Sequence, residues 1–177
     1  MFTARHHAFL QDLRRPLFGY VCAITPDTGR AEDLYQDAVV RAISATDAPD
    51  HPVAFRVWMF RLTRNLWIDR LRADTRHAAV FVDPPHGEDS APAAPRDSED
   101  LTINRMAVRQ AFQRLARHHR DVLALVDIGG FSYDETAALL DTPRGTVMSR
   151  VSRARSALER ELTAGQVVSL PLRRRRQ

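Results

Sequence analysis

The stretch from Phe131 to Leu158 constrains this chain most, because it specifies two short helices joined by a tight turn. Ser132 and Glu135 have the spacing of a capping box, in which each side chain accepts the other residue's backbone N–H at a helix start. The first helix is expected to begin at Ser132 and to run out at Asp141. Its inward residues are Ala137, Leu139 and Leu140. Thr142 and Pro143 then suit the cap and the first position of a second helix.

The second helix has two faces of different chemistry. Its apolar residues recur at helical spacing, at Val147, Val151, Ala154 and Leu158. The other face is basic and hydroxylated, and carries Arg144, Thr146, Ser149, Arg150 and Arg153. A helix-turn-helix needs this arrangement to place its second helix in a DNA major groove. The alternative is a helical hairpin with a solvated face, since all 26 basic residues are arginine and composition explains part of their density.

Composition restricts the remaining possibilities. A chain of 177 residues has room for one domain or two small ones. It contains neither an apolar run of membrane-spanning length nor a secretory signal, so we expect a cytoplasmic protein without membrane insertion. The lone Cys22 fits a reducing compartment. A net charge of +4 favours a polyanionic partner, although the terminal arginines at 173–176 account for that excess.

The spacing of apolar residues predicts helices in the N-terminal third of the chain. The first spans Phe2 to about Thr25, and Pro16 is expected to kink or divide it. After a turn at 26–29, a well-marked amphipathic helix runs to about Ala45. Its buried stripe is Ala31, Leu34, Tyr35, Ala38, Val39 and Ala42. Its outer face is acidic and contains Glu32, Asp33, Gln36 and Asp37. Taken alone, such a face is most simply a solvated one.

A third helix is predicted from Val53 to about Asp74. Its buried stripe is Phe55, Trp58, Met59, Leu62 and Leu66. Both tryptophans lie here among arginines, a combination that suits single-stranded nucleic acid, where bases stack on rings and phosphates meet positive charge. Trp58 belongs to the apolar stripe, so packing is the simpler interpretation of that residue.

The sequence from 77 to 100 changes character, being rich in proline and acidic residues, and predicts a flexible acidic linker that could reach roughly 80 Å. Beyond it, one helix from Leu101 to about Arg117 should bury Val108, Phe112 and Leu115. A shorter one should bury Val122, Leu123, Leu125 and Val126 and end at Gly129–Gly130. With no strand pattern, we predict an all-α protein with helical domains at 1–76 and 101–164 and a basic tail at 165–177.

The motifs together resemble those of the extracytoplasmic-function (ECF) class of bacterial RNA polymerase sigma factors. Residues 31–38, AEDLYQDA, are similar to a motif of sigma region 2, and 58–65, WMFRLTRN, with Asp69 and Arg72, to a second one. Residues 130–135, GFSYDE, and 143–155, PRGTVMSRVSRAR, are similar to region 4. The chain departs from the usual pattern at Thr136, Asp141 and Arg144. Promoter sequence therefore does not transfer from relatives.

The resemblance implies an alternative sigma factor that recognises −35 and −10 promoter elements and aids −10 melting. The chain would bind the β′ clamp helices and the β flap of core RNA polymerase. The surface that contacts the clamp helices would be formed by Glu32, Asp33, Gln36 and Asp37. The −10 strand would meet Arg61, Arg64 and Asn65, and the loop 46–54 would hold a flipped base. The −35 element would be read by Arg144, Thr146, Ser149, Arg150 and Arg153. The resemblance also implies an anti-sigma factor partner, and a linker that threads into the polymerase channel.

An enzyme is the least expected class, and neither cofactor nor metal is predicted. His6–His7 and His118–His119 are sequence neighbours that diverge on a helix, and no Cys or carboxylate spacing completes a metal site. Two other hypotheses remain. One is a repressor or activator that uses only the C-terminal hairpin. The other is a decoy for an anti-sigma factor, although the receiver domain usual in such decoys has no counterpart here.

Overall fold

The computed structural model describes residues 2–78 and 99–166, with side chains at 2–76 and 106–164. Most of the predicted linker and tail therefore lies outside the described residues. Every regular element in the described part is helical, which confirms the all-α prediction. The helices are α1 Ala4–Ile24, α2 Thr28–Ser44, α3 Pro52–Ala78, α4 Glu99–Arg114, α5 Arg117–Leu123, α6 Tyr133–Leu140 and α7 Arg144–Gln166, and a π-helical turn at Ala124–Ile128 extends α5. In this part no helix is long and apolar enough to cross a membrane.

The helices α1 to α3 pack together through their apolar faces. Pro16 does not divide α1, which continues through it as one helix, contrary to one of the two expected outcomes. In α2 the residues Ala31, Leu34, Ala38 and Ala42 are fully buried. Asp27 caps α2 by accepting the Arg30 N–H at 2.7 Å. The Arg30 guanidinium also pairs with Asp74 at 2.8 Å, which links α2 to α3.

Helix α3 is buried on more sides than its predicted stripe. Phe55 and Met59 are buried as expected, whereas Trp58, Leu62 and Leu66 are only partly buried. A second buried row consists of Phe60, Thr63 and Trp67, at i, i+3 and i+7. The reason is that α3 packs against α1 and α2 and also against α6, so a single apolar stripe does not cover its contacts.

The C-terminal helices pack around α7. Its Val147, Val151 and Ala154 are buried, as predicted, in a cluster with Leu115, Val122 and Leu123. The prediction for Val108 is wrong, because this side chain is 47% exposed. Leu115, the residue after the end of α4, is buried as predicted, and Phe112 is partly buried. Ala111 is buried in addition, on the side of α4 that contacts α7 and α1.

The start of α6 confirms the capping box, while the start of α7 corrects the predicted cap. The Glu135 N–H donates to Ser132 Oγ at 3.2 Å, and the Ser132 N–H donates to Glu135 Oε2 at 2.8 Å. Thr142 does not cap α7, because its hydroxyl donates to the Leu140 carbonyl at 3.1 Å. The Pro143 carbonyl accepts the N–H of Val147 at 3.1 Å, and α7 begins one residue later, at Arg144.

We expect Ser132→Ala to lower the free energy of unfolding by about 1 kcal/mol, because the α6 N-terminus loses its cap. The Ser132 N–H lowers the pKa of Glu135. A lowered folded-state pKa means that this contribution is present above the unfolded pKa and disappears as pH falls through the folded one. Urea titrations of wild type, Ser132→Ala and Glu135→Gln between pH 7 and pH 3 test this. An unchanged midpoint for both variants would contradict it.

The two halves of the chain share one apolar core. Ala124, Leu125, Phe131 and Leu139 of the C-terminal half are buried in the same cluster as residues of α1, α2 and α3. Two helical domains joined by a flexible linker, as the sequence predicts, do not by themselves imply this contact. The shared core determines which surfaces of α3 face solvent.

Candidate functional site

The acidic face of α2 is open to solvent. Glu32, Asp33, Gln36 and Asp37 are all exposed, as the prediction required. Asp37 forms an ion pair with Arg70 of α3, and the same guanidinium donates to the Asp33 carbonyl at 3.3 Å. Two exposed apolar residues that sequence reasoning missed lie further along α2. They are Val40, 63% exposed, and Ile43, 44% exposed.

A cleft of about 370 Å³ between α1 and α2 adjoins the acidic face. It is lined by His7, Leu10, Gln11, Arg14, Tyr35, Gln36, Val39 and Val40. Acidic side chains beside a partly apolar cleft have the composition of a surface that binds protein, whose apolar centre is surrounded by a polar rim. The signal for Val40 and Ile43 was available in the sequence, since both are apolar at positions outside the buried stripe.

The predicted DNA-reading face of α7 lies opposite its buried stripe. Arg144, Ser149 and Arg153 are exposed, and Thr146 and Arg150 are partly exposed. Arg144 Nε lies 3.0 Å from Asp134 Oδ1 on α6, so the two helices of the hairpin are joined by an exposed ion pair. Arg153 folds back onto α7, where its Nε donates to the Ser149 carbonyl at 3.2 Å.

The electrostatic field of the arginines on this face reaches α5. Burial, followed by the nearby charges of His118, Arg153 and Arg150, lowers the pKa of His119. His119 therefore lies within the field of the α7 arginines. Sequence reasoning considered this histidine only as a metal ligand, and its proximity to α7 depends on how α5 packs.

The predicted −10 residues lie where α3 meets the C-terminal half. Arg61, Arg64 and Asn65 line a cleft of about 380 Å³ whose other wall is formed by Ala138, Leu139, Leu140 and Asp141. Arg61 and Asn65 are exposed, and Arg64 is half-buried. The Arg61 guanidinium donates to the Ala138 carbonyl at 3.3 Å. The structure thus brings the three residues together beside α6.

Arg64 is engaged by a carboxylate from α5. Its Nε and terminal nitrogen both lie 3.0 Å from Asp121 Oδ2, and the two side chains are 22% and 21% exposed. The Tyr20 hydroxyl donates to the other oxygen of Asp121 at 3.4 Å. Burial, together with the Asp121 charge, raises the pKa of Tyr20 well above its ordinary range. The hydroxyl therefore stays protonated at neutral pH and donates to the carboxylate.

A second arginine of α3 contacts the loop before α6. The Arg56 guanidinium lies 4.1 Å above the Phe131 ring, a cation–π distance, and donates to the Gly129 carbonyl. No local pattern distinguishes Arg56 from the other arginines of α3, since its partners are more than seventy residues away along the chain.

No candidate metal centre is found in the part of the chain that the structure describes. No group of three or more His, Cys, Asp or Glu side chains there could hold a metal ion. His6 is used structurally, because its Nδ1 accepts the Thr3 N–H at 3.0 Å and its Nε2 lies 3.1 Å from Asp50.

Comparison with known proteins matches both halves of the chain to one family. Residues 9–77 match the family model for sigma-70 region 2, and residues 105–158 match the model for sigma-70 region 4. The chain is 30% identical to the ECF RNA polymerase sigma factor EcfG of Rhodopseudomonas palustris, over 80% of this chain and 76% of that protein. It is 33% identical to the ECF sigma factor SigM of Mycobacterium tuberculosis, over 89% of this chain and 74% of that protein.

Solved structures are similar over most of the chain. The sigma factor RpoE of Bartonella quintana, in complex with the anti-sigma factor NepR, superimposes with a TM-score of 0.74 at 27% identity, covering 88% of this chain and 97% of that one. CnrH, in complex with the cytosolic domain of CnrY, superimposes with a TM-score of 0.58 at 26% identity, covering 89% of each chain.

Proposed function

Since this chain belongs to the ECF RNA polymerase sigma factors of the sigma-70 family, we propose that three of its surfaces divide the work of promoter-specific transcription initiation. The acidic face of α2 binds the β′ clamp helices of core polymerase. The arginine face of α3 takes the −10 strand, and the outward face of α7 reads the −35 element. The protein supplies no catalytic centre of its own and works in the cytoplasm, where it meets polymerase and promoter DNA.

One observation carries the proposal: the exposed face of α2 is acidic, whereas the exposed face of α7 is basic. The exposed acidic residues of α2 suit a basic protein partner, because complementary charge steers association and suppresses wrong partners. The arginines of α7 suit phosphate and guanine edges. A single chain with both surfaces can connect polymerase to DNA, as a sigma factor must.

On α7 we assign Arg144, Thr146, Ser149, Arg150 and Arg153 to the −35 element. Arg144 is the first residue of α7, and its pairing with Asp134 holds it beside α6. His119 adds a donor for a phosphate next to this face. Arg153 must release Ser149 to reach DNA, which is an inexpensive change for an exposed contact.

On α3 we assign Arg61 and Arg64 to phosphate and Asn65 to a base edge, with the loop 46–54 holding a flipped base. Phosphates attract guanidinium groups regardless of sequence, whereas the amide of Asn65 can form paired hydrogen bonds to a base. The buried Trp67 and the partly buried Trp58 contribute packing to this helix.

An anti-sigma factor is the further partner that we propose. The similar RpoE was solved in complex with the anti-sigma factor NepR, and the fold of that chain is covered almost completely. We further propose that the chain divides at 1–76 and 101–164, that 77–100 enters the polymerase channel, and that region 4 contacts the β flap.

The test is run-off transcription with core polymerase over a library of genomic promoters, where we expect promoter-dependent transcripts. Arg144→Ala should weaken binding to the −35 duplex about 10- to 100-fold, from the roughly 1–3 kcal/mol of a bidentate base contact. Arg114→Ala, which removes an exposed arginine of α4, is the matched control. No transcript from any promoter would overturn the proposed function, and equal losses for both variants would overturn the assignment of Arg144.

A further inference from the structure

The C-terminal half contacts the −10 face of α3. Asp121 engages Arg64, and the Ala138 carbonyl accepts from Arg61. Both arginines belong to the set assigned to the −10 strand, so the inference that follows rests on the proposed function. Asn65 lines the same cleft, opposite residues 138–141.

The Asp121 carboxylate presents Arg64 with the same chemistry as a phosphate. Two guanidinium nitrogens lie 3.0 Å from one Asp121 oxygen, and a nucleic-acid phosphate would use the same donors. The Tyr20 hydroxyl holds the other oxygen and so orients the carboxylate. A phosphate of the DNA strand therefore competes with Asp121 for Arg64. The same guanidinium nitrogens cannot donate to both acceptors at once.

The surrounding contact is built for close approach. A Cβ atom on Gly129 would lie 3.0 Å from the Phe60 ring and 2.7 Å from the Leu125 carbonyl. A Cβ atom on Gly19 of α1 would lie 2.9 Å from Ile128. The Phe60 and Phe131 rings meet edge to face with centroids 4.8 Å apart. Glycines at the closest points and an aromatic pair between them indicate a specific interface between the two halves.

Polar contacts surround this apolar centre. Arg56 lies over Phe131 and donates to Gly129. On the far side, Arg109 of α4 donates to the Thr28 hydroxyl at 2.8 Å, and the Gln113 amide donates to the Thr25 carbonyl. An apolar centre within a hydrogen-bonded rim is the composition of a stable interface.

We propose that this interface is an autoinhibitory contact in which Asp121 occupies Arg64 in place of a DNA phosphate. The chain is closed when it is free, and the −10 strand and the C-terminal half are mutually exclusive ligands of α3. Separation of the halves releases Arg64 from Asp121 and Arg61 from the Ala138 carbonyl, beside Asn65, which is already exposed. Promoter melting then requires the opening of this interface.

The experiment measures binding of the full-length chain to a randomised 20-nucleotide single-stranded DNA by fluorescence anisotropy. A randomised strand suffices because the two arginines are assigned to phosphate. Asp121→Ala should bind about 10-fold more tightly than wild type, since Arg64 is released. Asp127→Ala is the matched control, because it removes an aspartate from an Arg155 ion pair of 2.6 Å within the C-terminal half. It should stay within about 2-fold of wild type.

In the double variant Arg64→Ala/Asp121→Ala, the gain in affinity for DNA should disappear. A gain that came only from the change in net charge would persist without Arg64. Tyr20→Phe, a milder change, should give a smaller gain than Asp121→Ala. Equal affinities for Asp121→Ala and Asp127→Ala would overturn the proposal, as would a gain that persists without Arg64. Failure of the proposed function is distinguishable, because it removes run-off transcripts and leaves these affinity differences in place.

A distance measurement tests the opening directly. Fluorophores at Ser44→Cys and Ser156→Cys, both exposed positions, are placed in a Cys22→Ser background. Energy transfer between them should fall when single-stranded DNA binds, and fall further in the Asp121→Ala chain. Energy transfer that stays constant in both chains on saturation with DNA would overturn the proposal.

Discussion

Asp33→Arg is expected to weaken binding to core polymerase by about 100-fold, equivalent to roughly 2.7 kcal/mol, and to abolish promoter-dependent transcription. Asp33 is exposed at the centre of the acidic face of α2. A guanidinium there would meet the basic clamp helices, and like charges opposed across an interface cost several kcal/mol. The change lies on the outer side of α2, so the core residues Ala31, Leu34 and Ala38 keep their packing.

The matched control is Asp12→Arg, which makes the same change of charge at an exposed position of α1. Asp12 does not line the cleft between α1 and α2. Affinity is measured by competition for core polymerase, and activity by run-off transcription. If Asp33→Arg transcribes normally, the polymerase surface lies elsewhere. A regulator that used only the C-terminal hairpin would give that result.

Phe60→Ala is expected to lower the free energy of unfolding by about 3–5 kcal/mol, the usual range for removing a buried aromatic ring. Phe60 is fully buried. Its ring lies 5.2 Å from Tyr20 of α1 and 4.8 Å from Phe131 of the C-terminal half, so it contributes to both halves at once. The loss should therefore appear in α6 as well as in α3.

Denaturant unfolding gives the total loss, and amide hydrogen exchange shows where it falls. Phe18→Ala is the control, because Phe18 is only partly buried and its ring meets Tyr35 of α2 within the N-terminal half. It should destabilise less and leave exchange in α6 unchanged. Unchanged protection of α6 in Phe60→Ala would show that the two halves do not share their stability.

Local patterns were sufficient for most of the helices. The capping box at Ser132 and Glu135, the stripe of α2 and the buried side of α7 all depend on residues within a few turns of each other. The capping box is confirmed, and most residues of the two stripes are buried, with Tyr35, Val39 and Leu158 only partly so. The acidic face of α2 and the arginine face of α7 follow from the same periodicity, because a helix that buries one side must expose the other.

The predictions from local sequence were wrong or incomplete where a residue's partners come from distant parts of the chain. Val108 was expected inside and is exposed, since the contacts of α4 with α1 and α7 set its orientation. The row Phe60, Thr63 and Trp67 was visible as spacing, but nothing local indicated a second surface to pack against it. Thr142 had the composition of a cap, yet the backbone turn at Asp141, with φ of 48°, directs its hydroxyl to Leu140.

The sequence by itself determined most of the helices and their outward charge, because these depend on side-chain chemistry at spacings of three to eleven residues. The family followed from the resemblance of its motifs. The tertiary structure alone decided that Asp121 meets Arg64, fifty-seven residues away, and that the two halves share a core. The physical reason is that an arginine on a helix carries no local signal for its partner. Only the packing of α5 and α6 against α3 determines whether Arg64 meets solvent, a phosphate or a carboxylate.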